Sequence, residues 1–265
     1  MLNAPFNPEP QIPMPTSKHI AITGASSGIG AALAEAYAAP GVIVSLQGRN
    51  MVRLNAVAEK VERRGGRATI KVLDVTDAAG MKEWLVSCDK LQPIDLVIAN
   101  AGISAGTGRG AESAAQAHAI FATNVMGVLN TVHPIIPLMT ERKKGQIAIM
   151  ASLAGFRGLS GAPSYGASKA AVRIYGEGLR GALARHGIEV NVICPGFVKT
   201  PMTEVNRFPM PFLMTPERAA TIIKQGLELN RPRIAFPWPM YALVWLFSIL
   251  PLRLTDAIIA RLPKK

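Results

Sequence analysis

Short apolar runs and longer mixed stretches alternate along most of the chain. "HIAIT" closes at Thr23, and helical spacing follows from Ile29. "VIVSLQ", Val42 to Gln47, precedes a charged helical stretch from about Asn50 to Arg64. "ATIKVLDV" leads into a helix from about Asp77 to Asp89, and "IDLVIAN" reads as a buried strand. Two helical segments then lead to "GQIAIMAS", followed by a helix carrying Tyr165 and by "EVNVICPG". A further helix opens at "TPERAA", where Thr215 suits the cap, Pro216 the first position and Glu217 the positive helix end. "RPRIAFP" is a last short strand. Continuously apolar strands are covered on both faces, and their alternation with helices predicts a parallel sheet. The expected fold is α/β: a doubly wound Rossmann-type sheet of about seven strands with helices on both sides.

This pattern occupies residues 18–236 as one domain. Residues 1–17 carry Pro5, Pro8, Pro10, Pro13 and Pro15 and lack the basic start and apolar core of a signal peptide, so a mobile extension is expected there. Residues 237–265 form an apolar and basic extension beyond the last strand.

Composition narrows the function classes. With 265 residues, 49% hydrophobic and 17% charged, the chain has material for a full core and is not of disordered type. A net charge of +12 attracts nucleic acid, anionic lipid or phosphorylated ligands. There is no basic helix with interleaved aromatics, no helix-turn-helix and no zinc spacing, so nucleic acid is not the expected partner. Cys88 and Cys194 stand far apart in apolar surroundings, the pattern of buried thiols in a reducing compartment, and a cytoplasmic location is expected. The four histidines are scattered, and no metal site is expected.

The candidate chemistry begins after the first strand. "TGASSGIG" places Gly24, Ser26, Ser27, Gly28, Ile29 and Gly30 at a strand-to-helix junction. Its glycines let backbone amides approach a pyrophosphate, and the helix end adds partial positive charge. An acid at the end of the second strand would bind the ribose of NAD. The chain instead has Arg49, which favours a 2′-phosphate and hence NADP(H) over NAD(H). Tyr165 and Lys169 lie four apart with small residues between them, on one helical face. A phenol titrates near ~10, and a neighbouring cation lowers that value, so the pair suits acid–base work.

Taken in order, these motifs resemble the short-chain dehydrogenases/reductases, in their compact single-domain form, from about Lys18 to Phe236. The carrying residues are "TGASSGIG", Asp74–Val75, "NAG" at Asn100, Ala101 and Gly102, Asn124, Ser152, Tyr165 with Lys169, and "PGFVKT" from Pro195. The resemblance implies that Tyr165 exchanges the proton with the substrate oxygen. Lys169 would lower the tyrosine pKa and bind the nicotinamide ribose. Ser152 would hydrogen-bond the substrate oxygen, and Asn124 would hold a water linking Lys169 to solvent. Asp74 and Val75 would contact the adenine, and Asn100, Ala101 and Gly102 would line the cofactor cleft. Pro195, Gly196, Val198 and Thr200 would position the carboxamide. Ala99 stands where many members have asparagine, which implies one weakened structural bond. The activity implied is an NADP(H)-dependent oxidoreductase acting on a carbonyl/secondary-alcohol pair. A homodimer or homotetramer, paired through the helices around Asn124 and Tyr165, is implied as well. A non-catalytic nucleotide-binding scaffold or sensor is the alternative on this fold, and the intact Ser152, Tyr165 and Lys169 set argues against it.

Two segments bear on the substrate and partners. "FVKTPMTEVNRFPMPFLM" would cover the substrate; its Met and Phe residues suit an apolar molecule or serve to pack the lid. From Ile234 to Leu252 no residue is charged, Trp238, Tyr241 and Trp245 are interface-favouring, and basic residues follow. Prolines leave Met240 to Leu250 as the uninterrupted helix, too short to span a bilayer. Two readings stay open. One is an amphipathic segment lying on an anionic membrane, which would make the protein peripheral at the membrane's inner face. The other is a helix packed on the domain or in an oligomer.

Overall fold

The structure is a computed structural model that describes residues 17–107, 111–206 and 208–255. The expected N-terminal extension therefore lies, apart from residue 17, outside the described residues.

Seven strands form one parallel sheet: β1 (His19–Ile22), β2 (Ile43–Gly48), β3 (Arg67–Val72), β4 (Leu96–Ala99), β5 (Gly145–Met150), β6 (Ile188–Pro195) and β7 (Arg233–Phe236). Their spatial order is β3-β2-β1-β4-β5-β6-β7. Every residue of β1, β2, β4 and β5 is buried, as continuous apolar runs require of strands covered on both faces. One apolar cluster joins the sheet to α1 (Gly28–Tyr37), α2 (Met51–Arg63) and α9 (Pro216–Glu228). A second joins it to α3 (Ala78–Leu91), α5 (Gly127–Val132) and α7 (Pro163–Ala184).

Thr215 caps its helix as the sequence indicates, and Asn50 and Asp77 do the same for α2 and α3: each accepts a hydrogen bond from the backbone three residues on. β3 ends at Val72, short of the expected Val75: the Leu73 N–H still bonds the Gly48 carbonyl, and Asp74 then turns the chain, its side chain accepting from the Thr76 N–H.

The two helical segments expected before β5 are one apolar run, α4 (Ala114–Phe121), α5 and α6 (Ile136–Glu141), with a wide π turn at Ala122–Met126. The run is long and apolar enough to cross a membrane by length and composition. In this fold it packs against α3, α7 and β4.

The helix after β7, α10 (Trp238–Ile249), starts two residues before the expected Met240 because Pro239 falls in its first turn, where proline is tolerated. It is not amphipathic. Apolar residues cover both the side that packs on the domain and the side that faces outward.

Candidate active site

The order of the sheet reverses between β1 and β4, and open α/β sheets bind ligands at such a point. A cleft of about 680 Å³ runs across the C-terminal ends of the central strands. Of the sequence-predicted site residues, all but Gly30 and Asn124 line it.

At one end, Gly24 and Gly28 adopt φ of 64° and 56°, a region open to glycine at little cost. Gly30 lies beneath the turn. A Cβ there would fall 2.6 Å from Asn100 Nδ2, and that amide donates to the carbonyls of Thr23 (2.9 Å) and Gly24 (3.2 Å). Gly30 is thus required by packing and not by ligand contact. The Thr23 hydroxyl accepts from the N–H groups of Asn100 and Ala101, so the turn and the end of β4 are tied together without help from Ala99. α1 begins at Gly28 with no side chain capping it and no acid in its first turn. Its first N–H groups are therefore available at the cleft, a fit for the pyrophosphate of a dinucleotide.

Arg49, Asp74, Asn50 and Arg53 line the same end. Arg49 Nη1 sits 3.3 Å from Asp74 Oδ2, both side chains being well exposed. Asp74 also accepts from the Thr76 N–H (2.9 Å) and hydroxyl (2.8 Å), so it caps the turn and holds Arg49 together. Burial raises its pKa, but the Thr76 hydrogen bonds and the Arg49 charge outweigh that and bring it below the usual carboxylate value.

At the other end stand Ser152, Tyr165 and Lys169. Ser152 follows β5 and caps a short turn, accepting from the Ala154 N–H at 3.1 Å. Tyr165 lies in the first turn of α7, half-buried on the cleft wall. The surrounding protein pushes its hydroxyl pKa upward, and a hydrogen bond with Ser152 acts in the opposite sense. Lys169 is buried, its Nζ 5.9 Å from the Tyr165 ring centre and donating to the Met150 carbonyl at 2.9 Å. Burial lowers its pKa to about 8. The resemblance made Lys169 a cation that depresses the tyrosine. Here burial dominates both groups, moving the phenol up and the ammonium down.

Asn124 is fully buried inside the π turn. Its Oδ1 accepts from the Ile103 N–H (2.8 Å), and its Nδ2 donates to the Ile103 carbonyl (2.9 Å) and the Ser168 hydroxyl (3.0 Å). Ser168 donates in turn to the Tyr165 carbonyl at 2.8 Å. The widened turn is what gives the amide this reach. Asn124 and Lys169 flank Gly102, where a Cβ would stand 3.2 Å from Asn124 Oδ1 and 3.3 Å from Lys169 Nζ.

Several contributors were missed by sequence reasoning. Buried Gln47 accepts from the Gly24 N–H and donates to the Leu73 carbonyl, fixing the phosphate turn. A glutamine in a buried strand was the signal for it. Glu112 holds the start of α7 by accepting from the Ser164 N–H and hydroxyl. Nothing local marks Glu112. Arg53, one turn beyond Arg49, was legible from its spacing.

An uncapped helix beside a glycine turn, and a buried lysine beside a cleft tyrosine, have the chemistry to hold a dinucleotide and to exchange a proton. The family model of the short chain dehydrogenases matches residues 18–209. The chain is 38% identical over 242 residues to an uncharacterized oxidoreductase of Myxococcus xanthus, covering 91% of this chain and 96% of that one. It is 32% identical over 218 residues to the ketoacyl reductase HetN of a Nostoc species, covering 80% and 76%. A short-chain dehydrogenase from Sphingobium yanoikuyae in complex with NADPH superposes with a TM-score of 0.77 at 24% identity, over 92% of this chain and 96% of that one. One from Burkholderia phymatum in complex with NAD does so with a TM-score of 0.80 at 24% identity, over 94% and 97%. The chain belongs to the short-chain dehydrogenase family and is an oxidoreductase of that type.

Proposed function

We propose that the protein interconverts a lipophilic carbonyl compound and its secondary alcohol with NADP(H), with Tyr165 as proton donor and acceptor. The observation that supports this most is the meeting of Ser152, Tyr165 and buried Lys169 at one end of the cleft. The nicotinamide, when bound, supplies or accepts the hydride. The rest of the chemistry belongs to the chain. As a carbonyl is reduced, negative charge grows on its oxygen, and the Ser152 and Tyr165 hydroxyls meet it in a site of restricted water. Tyr165 then gives its proton to that oxygen as general acid. Lys169, held by the Met150 carbonyl, compensates the resulting phenolate and hydrogen-bonds the ribose. Asn124 fixes the Ile103 backbone and, through Ser168, the backbone at Tyr165, and it would hold the water that returns protons to Lys169.

The choice of NADP(H) rests on Arg49 and Arg53 at the end where an NAD enzyme would carry an acid. A 2′-phosphate would take Arg49 away from Asp74. The lipophilic substrate is supported by Met202 on the cleft and by exposed Phe212 and Leu213 in the covering segment. Exposed Phe121, Met126 and Ile174, near the Asn124 and Tyr165 helices, support pairing of two copies there. A cytoplasmic location fits the two free, buried cysteines. The test is NADPH oxidation over ketones and aldehydes of graded chain length. Activity rising with apolar chain length supports the proposal. No turnover of any member, or equal rates with NADH, counts against it.

A further inference from the structure

We propose that α10 is a docking surface for an anionic lipid bilayer. The helix is built onto the folded body. Met240, Tyr241 and Val244 pack against the core, and the Tyr241 ring meets Phe156 edge-on at 5.5 Å. Arg233 Nη1 donates to the Tyr241 hydroxyl at 3.1 Å, and Pro237 and Met240 close over Gly196. Beyond the helix, the Thr255 hydroxyl accepts from Arg157 at 2.9 Å. These contacts use only the inner side. Trp238, Leu243, Trp245, Leu246 and Ile249 are exposed on the outer side, and Leu252 extends the patch. Contiguous apolar patches of this kind mark a contact surface, whereas scattered exposed apolar residues do not.

Length and chemistry select the occupant. Twelve residues of helix reach about 18 Å, well short of the ~30 Å hydrocarbon core, so α10 lies along a bilayer and does not cross it. Tryptophan favours the headgroup region, and Trp238 and Trp245 are the exposed aromatics of this face. The sequence has no acidic residue between Glu228 and Asp256, and exposed Arg231 and Arg253 bracket the helix. A chain of net charge +12 is drawn to an anionic leaflet and repelled by a second copy of itself. Charge therefore favours lipid over self-association at this face.

The test is flotation of the full chain with vesicles of phosphatidylcholine alone, or with phosphatidylglycerol added, at low and high salt. The protein is expected to float with the anionic vesicles at low salt. A Trp238→Ser/Trp245→Ser variant should bind at least ~10-fold more weakly while still binding NADPH. Tryptophan emission should shift to the blue on binding. Trp238 and Trp245 are 74% and 48% exposed, whereas Trp84 is 6% exposed and supplies a constant background. Neither readout depends on catalysis. The proposal is overturned if the chain stays unbound, if it floats equally with neutral vesicles, or if the variant binds as well as the parent. It is also overturned if the variant instead breaks an oligomer that never binds vesicles.

Discussion

The two ends of the cleft are held by different physics. At the end proposed for the adenine, Arg49 and Asp74 pair in the open, where water and salt screen them. At the end proposed for catalysis, Lys169 is buried, with its ammonium pKa brought down to about 8. Exposed charges choose between ligands at little cost to the fold. A buried charge shapes chemistry, and the fold has to hold it. Mutations at the catalytic end should therefore be severe and those at the adenine end graded.

The sharpest test is Tyr165→Phe. It should lower kcat by ~10³-fold or more while dinucleotide binding, followed by fluorescence titration, changes by less than ~3-fold. Turnover at the parental rate would remove the proton donor. Lys169→Met should cost ~10² in kcat and also change the pH dependence of stability. The folded Lys169 titrates near 8 and the unfolded group near 10.5. Between those values the unfolded chain binds the extra proton, so stability rises with pH across the window and is lowest below it. The methionine variant should lose that slope and recover up to about 3 kcal/mol at neutral pH, less the Met150 hydrogen bond. Thermal unfolding at pH 7 and pH 10 reads the difference, and an unchanged slope would mean Lys169 is well solvated.

Asn124→Ala leaves the Ile103 N–H and carbonyl unpaired and should destabilise the protein by about 2 kcal/mol, as measured by denaturant unfolding. It should also lower kcat more than it raises KM. The smallest effect belongs to the exposed end. Arg49→Asp should move the NADP/NAD preference about tenfold toward NAD, less at high salt. No change in NADPH affinity would transfer the role to Arg53.

Much of the site was legible in the chain itself. The glycine turn sits directly after an apolar strand, and Tyr165 and Lys169 share one helix, so each feature is set by spacing of four residues or fewer. Gln47 and Glu112 were not legible, because their partners lie in other segments: Leu73 is 26 residues from Gln47, and Ser164 is 52 from Glu112. The choice between the two readings of the tail was not legible for a related reason. An apolar stretch can be recognised in sequence, but which of its sides finds the domain depends on Phe156 and Gly196, far back in the chain.

The sequence by itself determined the parallel sheet, the glycine turn and the helix that carries Tyr165 and Lys169, since local periodicity and backbone freedom specify these wherever the rest of the chain goes. Tertiary structure alone decided that Arg49 meets Asp74, that the turn at Asn124 widens to grip Ile103, and that Lys169 is stripped of water. Each depends on groups brought together through space, and burial, which sets the energy of a charge, is a property of the assembled fold.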